Sequence, residues 1–196
     1  MRVQRRALRP REEVQERILA AATDLFGTRL PANVTVRDIA DRAGVQHSLV
    51  HRHFKTKDRL LAEVVSRTIQ DYADVVAQAS DPTEGFVLGM NHIAENPAGF
   101  LALASARIGQ TRLEQRRPSF PGAALHRQQL KAAGATRELD PAVVTVAALA
   151  MASGWALFED WWMAAAGRRD RRALRSEIAD VIRRLVQREA GLEPRD

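Results

Sequence analysis

Apolar residues recur at three- and four-residue spacing through most of this chain, the period of a helix with one buried face. Over residues 11–27, Val14, Ile18, Ala21, Ala22, Leu25 and Phe26 make one such stripe. Glu12, Glu13 and Glu16 fall in its first turns, where the helix dipole favours negative charge. The stretch "GTRLPANV" then breaks the pattern. Thr35 opens a second helix, and "TVRD" fits a capping box with Asp38 in the place usually taken by glutamate. That helix stops at Gly44, and a third runs from about Gln46 to Phe54. Thr56 caps a fourth, with Asp58 in its first turn. Leu60, Leu61, Val64, Val65, Thr68, Ile69, Tyr72 and Val76 give it a long apolar face.

The remainder reads as helix too. Helices are expected over 83–95 from a Thr83 cap, and over 98–109. A third starts at Ser119 or Pro121, runs to about Ala133 and is closed by Gly134. The Asp140-Pro141 pair starts a long helix to about Ala166, with proline at its first position. A final helix spans about 170–190. "QTRLEQRRPS" is a polar, basic loop. There is no strand pattern, repeat or low-complexity segment. The fold class expected is all-α, with about nine helices. Residues 141–158 carry no charge over 18 positions, long enough to cross a membrane. Six of them are alanine, and Thr145, Ser153 and Gly154 dilute them further. A helix buried on nearly all sides within a protein or dimer explains them better, so no membrane partner is expected.

Composition narrows this. The chain has 196 residues, enough for a small domain joined to a larger one. With no cysteine, neither a disulfide framework nor a thiolate metal site can form. The basic start, "MRVQRRALRPREE", has no apolar core behind it, so it does not read as a secretory signal and a cytoplasmic protein is expected. Charge is uneven. Residues 1–60 hold 13 Lys+Arg and 7 Asp+Glu, or 13 − 7 = +6, whereas residues 61–196 hold 17 of each. An excess confined to one segment points to a polyanionic partner.

That segment contains "TVRDIADRAGVQHSLVHRHF", residues 35–54. Ala40 stands four residues before Gly44, and Val50 six after it, the spacing of a helix-turn-helix. Ala40 must be small because the second helix crosses close above it. Gly44 accepts the left-handed backbone of the turn. Ile39, Val45 and Val50 fill the wedge. The same segment holds three of the five histidines. His47 and His51 share a helix face and could share a metal ion, but His53 points elsewhere. A zinc site needs three or four ligands, so no metal and no cofactor are expected.

Three stretches, "ILAAATDLF", "TVRDIADRAGV" and "HRHFKTKDRLLAEVV", resemble the DNA-binding domain of the tetracycline-repressor (TetR) family of bacterial transcription regulators. The resemblance covers about a quarter of the chain. It implies an all-helical protein with a three-helix DNA-binding domain over 11–57, after a basic arm over 1–10. Residues 58–196 would bind a small molecule and form a homodimer. The function implied is a repressor, not an enzyme, released from a palindromic double-stranded DNA operator by an effector. The chain departs from the family in having His51 where tyrosine is usual and Leu49-Val50 where a Thr-Leu pair is usual.

Candidate DNA contacts follow. Gln46, His47, Ser48 and His51 would face the major groove, where an α-helix fits and base edges differ. Thr35, Arg37, Arg52, Lys55 and Lys57 would bind phosphates, which position a reading head without reading sequence. Arg2, Arg5, Arg6 and Arg9 could enter the minor groove as an arm or form a disordered, solvated tail. Candidate ligand-lining residues are Phe86, Met90, Phe100, Leu103, Arg107, Trp155 and Phe158, with Arg107 expected either at an anionic ligand or paired to Glu159 or Asp160. Arg172, Arg175, Arg183 and Arg184 are expected opposite the apolar stripe of the last helix. Trp155, Trp161 and Trp162 are expected in the core or interface. A ligand carrier, an enzyme with a basic appendage, or a DNA binder without ligand control are the alternatives. No phosphate loop, nucleophile–base pair or metal constellation supports catalysis.

Overall fold

A computed structural model describes residues 10–108, 120–135 and 140–192. All regular structure among them is helical. There are ten α-helices and one short 3-10 turn, Pro31–Asn33, where about nine helices are expected from the sequence. The proposed arginine arm at residues 2–9 and the basic loop at 110–119 lie outside the described residues. Contacts group the chain into two compact units, one within Met1–Arg67 and Ala98–Arg117, the other within Thr68–Pro97 and Pro118–Asp196.

The first unit holds α1 (Pro10–Thr28), α2 (Val36–Ala43), α3 (His47–Phe54), the start of α4 (Lys57–Val76) and α6 (Pro97–Ile108). Ile18, Ala22, Phe26, Val34, Ile39 and Leu60 are fully buried. Each large apolar side chain removed from water contributes roughly 1.5–3 kcal/mol. The α6 helix is tied to α1, where Ser105 Oγ donates to the Phe26 carbonyl at 2.9 Å. A side chain at Gly27 would strike the Ala98 backbone oxygen at 2.7 Å, so glycine permits that approach.

The second unit holds the end of α4 with α5 (Pro82–Glu95), α7 (Pro121–Ala132), α8 (Pro141–Leu157), α9 (Glu159–Ala165) and α10 (Arg171–Glu189). Its core joins Phe86, Met90, Leu130, Val144, Trp155 and Ile182. Asp81, not Thr83, caps α5, because its Oδ1 accepts from the N–H groups of Thr83 and Glu84. Phe120 precedes α7 without a side-chain cap, and Ser119 lies outside the described residues.

The expected helix from 141 to 166 is two helices. The chain turns by 83° between α8 and α9, at Phe158. No glycine or proline marks this break. Glu159, the first residue past it, is 7% exposed. Its carboxylate accepts from Arg171 at 2.6 Å and from Arg175 at 2.9 and 3.0 Å. A buried carboxylate needs such partners, and reaching them takes the chain off the α8 axis. Arg175 therefore turns inward instead of standing opposite the apolar stripe. Arg171 also binds Asp160 at 2.5 Å, so both carboxylates expected for Arg107 pair with α10, and Arg107 is exposed on α6.

The α8 helix is not covered on all sides within one chain. Val144, Thr145, Ala148 and Ala152 face the core, while Val143 (55%), Val146 (64%) and Met151 (44%) are exposed. Among the described residues no single helix is long and apolar enough to cross a membrane.

Candidate nucleic-acid interface

The sequence fixes the two-helix element locally. Thr35 Oγ1 accepts from the Asp38 N–H at 3.1 Å, and the Thr35 N–H donates to Asp38 Oδ2 at 2.9 Å, completing the capping box. The backbone bond from Thr35, then its side-chain bond, holds the Asp38 carboxyl below its ordinary value. Gly44 ends α2 with φ 63° and ψ 41°, a left-handed conformation that a Cβ would strain. Ala40 and Ile39 are buried, and Val50 and Phe54 from α3 pack inward. His53 is half-buried. Burial, then the charges of Arg11 and Arg52, keeps its imidazole below the ordinary pKa.

Two cations brace this element against backbone. Arg17 on α1 donates to the carbonyls of Ala43 at 2.6 Å and Gly44 at 2.8 Å. Those carbonyls end α2, where unpaired oxygens and the dipole both favour a cation. Lys57 donates to Pro31 O at 2.6 Å and Val34 O at 2.9 Å, tying the start of α4 to the loop before α2. Two of its three N–H groups are thus committed.

The outward face of α3 presents Gln46, His47, Ser48, His51 and Arg52, all exposed, with Leu49 half-buried beside them. Gln46 sits at the N-cap of α3, and no side-chain bond closes that end. The His47 and His51 rings meet edge-on at 6.4 Å. Among the described residues no group of three or more His, Asp or Glu gathers as metal ligands would. Thr35 and Arg37 are exposed at the start of α2, and Lys55 follows α3. The candidate DNA contacts thus lie on or beside one two-helix element.

The sequence profile "Bacterial regulatory proteins, tetR family" matches residues 18–64, spanning the end of α1 through the start of α4. Over 188 residues the chain is 32% identical to the HTH-type transcriptional repressor Rv3405c of Mycobacterium tuberculosis, covering 90% of this chain and 91% of that protein. The chain belongs to the TetR family. It is a DNA-binding transcription regulator. Among solved structures, the putative transcriptional regulator SCO4942 from Streptomyces coelicolor shares the fold with a TM-score of 0.71 at 22% identity, over 89% of this chain and 97% of that one. A gamma-butyrolactone receptor (ArpA-like protein) does so at 0.58 and 20%, over 91% and 99%.

In this TetR-family chain the ligand-lining candidates divide. Phe100, Leu103 and Arg107 belong to α6 in the first unit, and Phe86, Met90, Trp155 and Phe158 to the second. Phe86 and Met90 are completely buried. Phe158 is 50% exposed, with its ring 6.1 Å from Trp161. Trp155 lies in the core, whereas Trp161 and Trp162 are exposed.

Sequence reasoning missed a polar node inside the second unit. Tyr72 and His126 are hydrogen-bonded, Oη to Nε2, at 3.0 Å, and Phe86 stacks on the imidazole at 3.9 Å. Burial pushes the His126 pKa down to about 4 and raises that of Tyr72. Both groups are therefore neutral. Two glycines make room for the phenol. A Cβ at Gly89 would lie 2.4 Å from Tyr72 Oη, and one at Gly122 2.6 Å from its Cδ1. Those glycines were the available signal, but nothing in the sequence ties them to Tyr72.

Proposed function

We propose that this TetR-family regulator is a cytoplasmic repressor that binds a palindromic operator as a homodimer and is released by a small molecule. The observation that carries the reading is α3: Gln46, His47, Ser48 and His51 outward, Val50 and Phe54 inward, on an element braced at both ends. A helix so held enters the major groove as a rigid reader. Arg37, Arg52, Lys55 and the remaining Lys57 N–H bind phosphates.

A second copy covers the open apolar face. Val143, Ala147 and Met151 of α8 and Leu185 of α10 line a cleft of about 150 Å³, and Val146 and Val181 lie exposed on the same two helices. Exposed apolar side chains so arranged mark an association surface. The resulting two-fold places two α3 helices about one DNA turn apart, roughly 34–36 Å.

Ligand response draws support from the second unit. His126 Nδ1, Gln129 Oε1, Thr145 Oγ1 and Trp155 Nε1 are buried there without a hydrogen-bond partner among the described residues. Buried polar atoms are nearly always satisfied, so such atoms suit a polar ligand or bound water. One protein that shares the fold is a gamma-butyrolactone receptor. Effector binding would shift α4, which runs from the reading head into this unit, and lower operator affinity by population shift.

Selection of bound duplexes from a random DNA pool tests the reading. Enrichment of a palindrome with half-sites about 10 bp apart is expected. Enrichment of a single asymmetric site would exclude the symmetric dimer, and no enrichment at all would exclude sequence-specific binding.

A further inference from the structure

Among the described residues other than glycine, Lys55 alone has positive φ, at φ 65° and ψ −57°. Thr56 N–H donates to Phe54 O across it at 2.7 Å, which closes a three-residue γ-turn. Such a turn is rare and strained for a residue with a Cβ. It persists because both flanks are fixed. Phe54 is buried, Lys55 N–H donates to His51 O at 2.9 Å, and Lys57 is tied to Pro31 and Val34. The turn aims the Lys55 carbonyl back along α3, where it lies 3.2 Å from His51 Nδ1.

A carbonyl oxygen can only accept a hydrogen bond, so Nδ1 must carry the proton. In the neutral ring the other nitrogen, Nε2, is then a bare acceptor. The rest of the ring is exposed on the reading face of α3. Acceptors in the major groove complement the exocyclic amino groups of adenine and cytosine, and they meet only other acceptors on guanine.

We infer that His51 is a specificity-determining residue that reads adenine or cytosine through Nε2, and that the strained Lys55 turn sets this polarity by holding Nδ1. Lys55 is thus a positioning residue through its carbonyl, apart from any phosphate contact by its ammonium. The inference rests on α3 being the reading helix.

The test is selection from a random duplex pool with the full-length protein at about pH 8.5, above the range in which imidazoles charge. Wild type should enrich adenine or cytosine at one symmetric pair of positions, about tenfold over other bases. His51→Phe should lose that preference and keep the others. His51→Lys, which offers only donors, should turn it toward guanine. Lys55→Gly keeps the turn accessible, so it should weaken all sequences alike and leave the preference in place. Each variant's circular dichroism should match wild type, since both side chains are exposed. An unchanged preference in His51→Phe, with uniformly weaker binding, would reduce His51 to a phosphate contact and overturn the inference. Gln46→Ala separates the two levels. If it alters base choice while His51→Phe does not, α3 still reads and only the His51 assignment fails. If neither alters it, α3 is not the reader.

Discussion

The two units of this chain handle polar groups in opposite ways. In the first, Arg17 and Lys57 reach from neighbouring helices to backbone carbonyls, and the polar side chains of α3 stand in solvent. In the second, polar groups lie inside. Glu159 is held between two arginines, and His126 is buried against Tyr72 and Phe86. The first arrangement suits a partner of fixed shape, because a rigid head need only present groups at set spacing to B-DNA. The second builds its interior on paired buried groups, which rigidify a unit and specify one packing where they are satisfied.

The largest effect separating the units should come from Gly89→Ala. The new methyl meets Tyr72 where neither α5 backbone nor ring can yield easily. Loss of about 3 kcal/mol is expected, read by thermal or urea unfolding. The same measurement in a variant of the first unit, such as Arg17→Met, should show far less. Equal losses would mean that the aromatic wedge in the second unit is not tight.

A comparable effect should appear with pH. His126 is held at about 4 by burial, below the ordinary 6.5. Below pH 6.5 the unfolded chain binds a proton that the folded chain refuses. Stability is therefore fully present above that value and falls as pH drops toward 4, by about 3 kcal/mol from this group. Urea unfolding at stepped pH should show that slope, and His126→Gln should flatten it. A slope unchanged by the substitution would place the acid sensitivity elsewhere.

Arg17→Met keeps the apolar stem and removes the guanidinium from Ala43 O and Gly44 O. These bonds are partly solvated, so the stability cost should be about 1 kcal/mol. Operator affinity should fall more than affinity for unrelated DNA, because the turn that orients α3 is loosened. A parallel fall in both would make Arg17 a fold brace only.

Smallest is Gly154→Ala on α8. Among the described residues nothing lies within 4 Å of the added Cβ. Removing a helical glycine should raise stability by roughly 0.5–1 kcal/mol. A weaker dimer in sedimentation, despite this gain, would mean that a second copy approaches closely there.

The same contrast explains what was legible in the sequence. The reading head is specified by neighbours in the chain. Thr35 and Asp38 cap each other three residues apart, Gly44 needs its own left-handed backbone, and Val50 and Phe54 lie on one turn-to-turn stripe. Local spacing carries all of that. The 83° turn at Phe158 depends instead on Arg171 and Arg175, 12 and 16 residues beyond Glu159. The Tyr72–His126 pair joins residues 54 apart. Both look like uninterrupted helix in sequence because the deciding partners are distant. Lys57 illustrates a partial reading. Its place at the start of α4 follows from local spacing, but its bonds to Pro31 and Val34 close a loop of over 20 residues.

The most direct test of the account is a discrimination ratio. Anisotropy titrations would measure full-length protein on its selected duplex and on a scrambled duplex of equal length and salt. The account predicts that replacing Gln46 and His47 together with alanine cuts a ratio of about a thousandfold or more to the part that His51 alone reads. Arg37→Ala should weaken both duplexes alike and preserve the ratio. A double variant that still discriminates like wild type would contradict the claim that α3 reads the DNA.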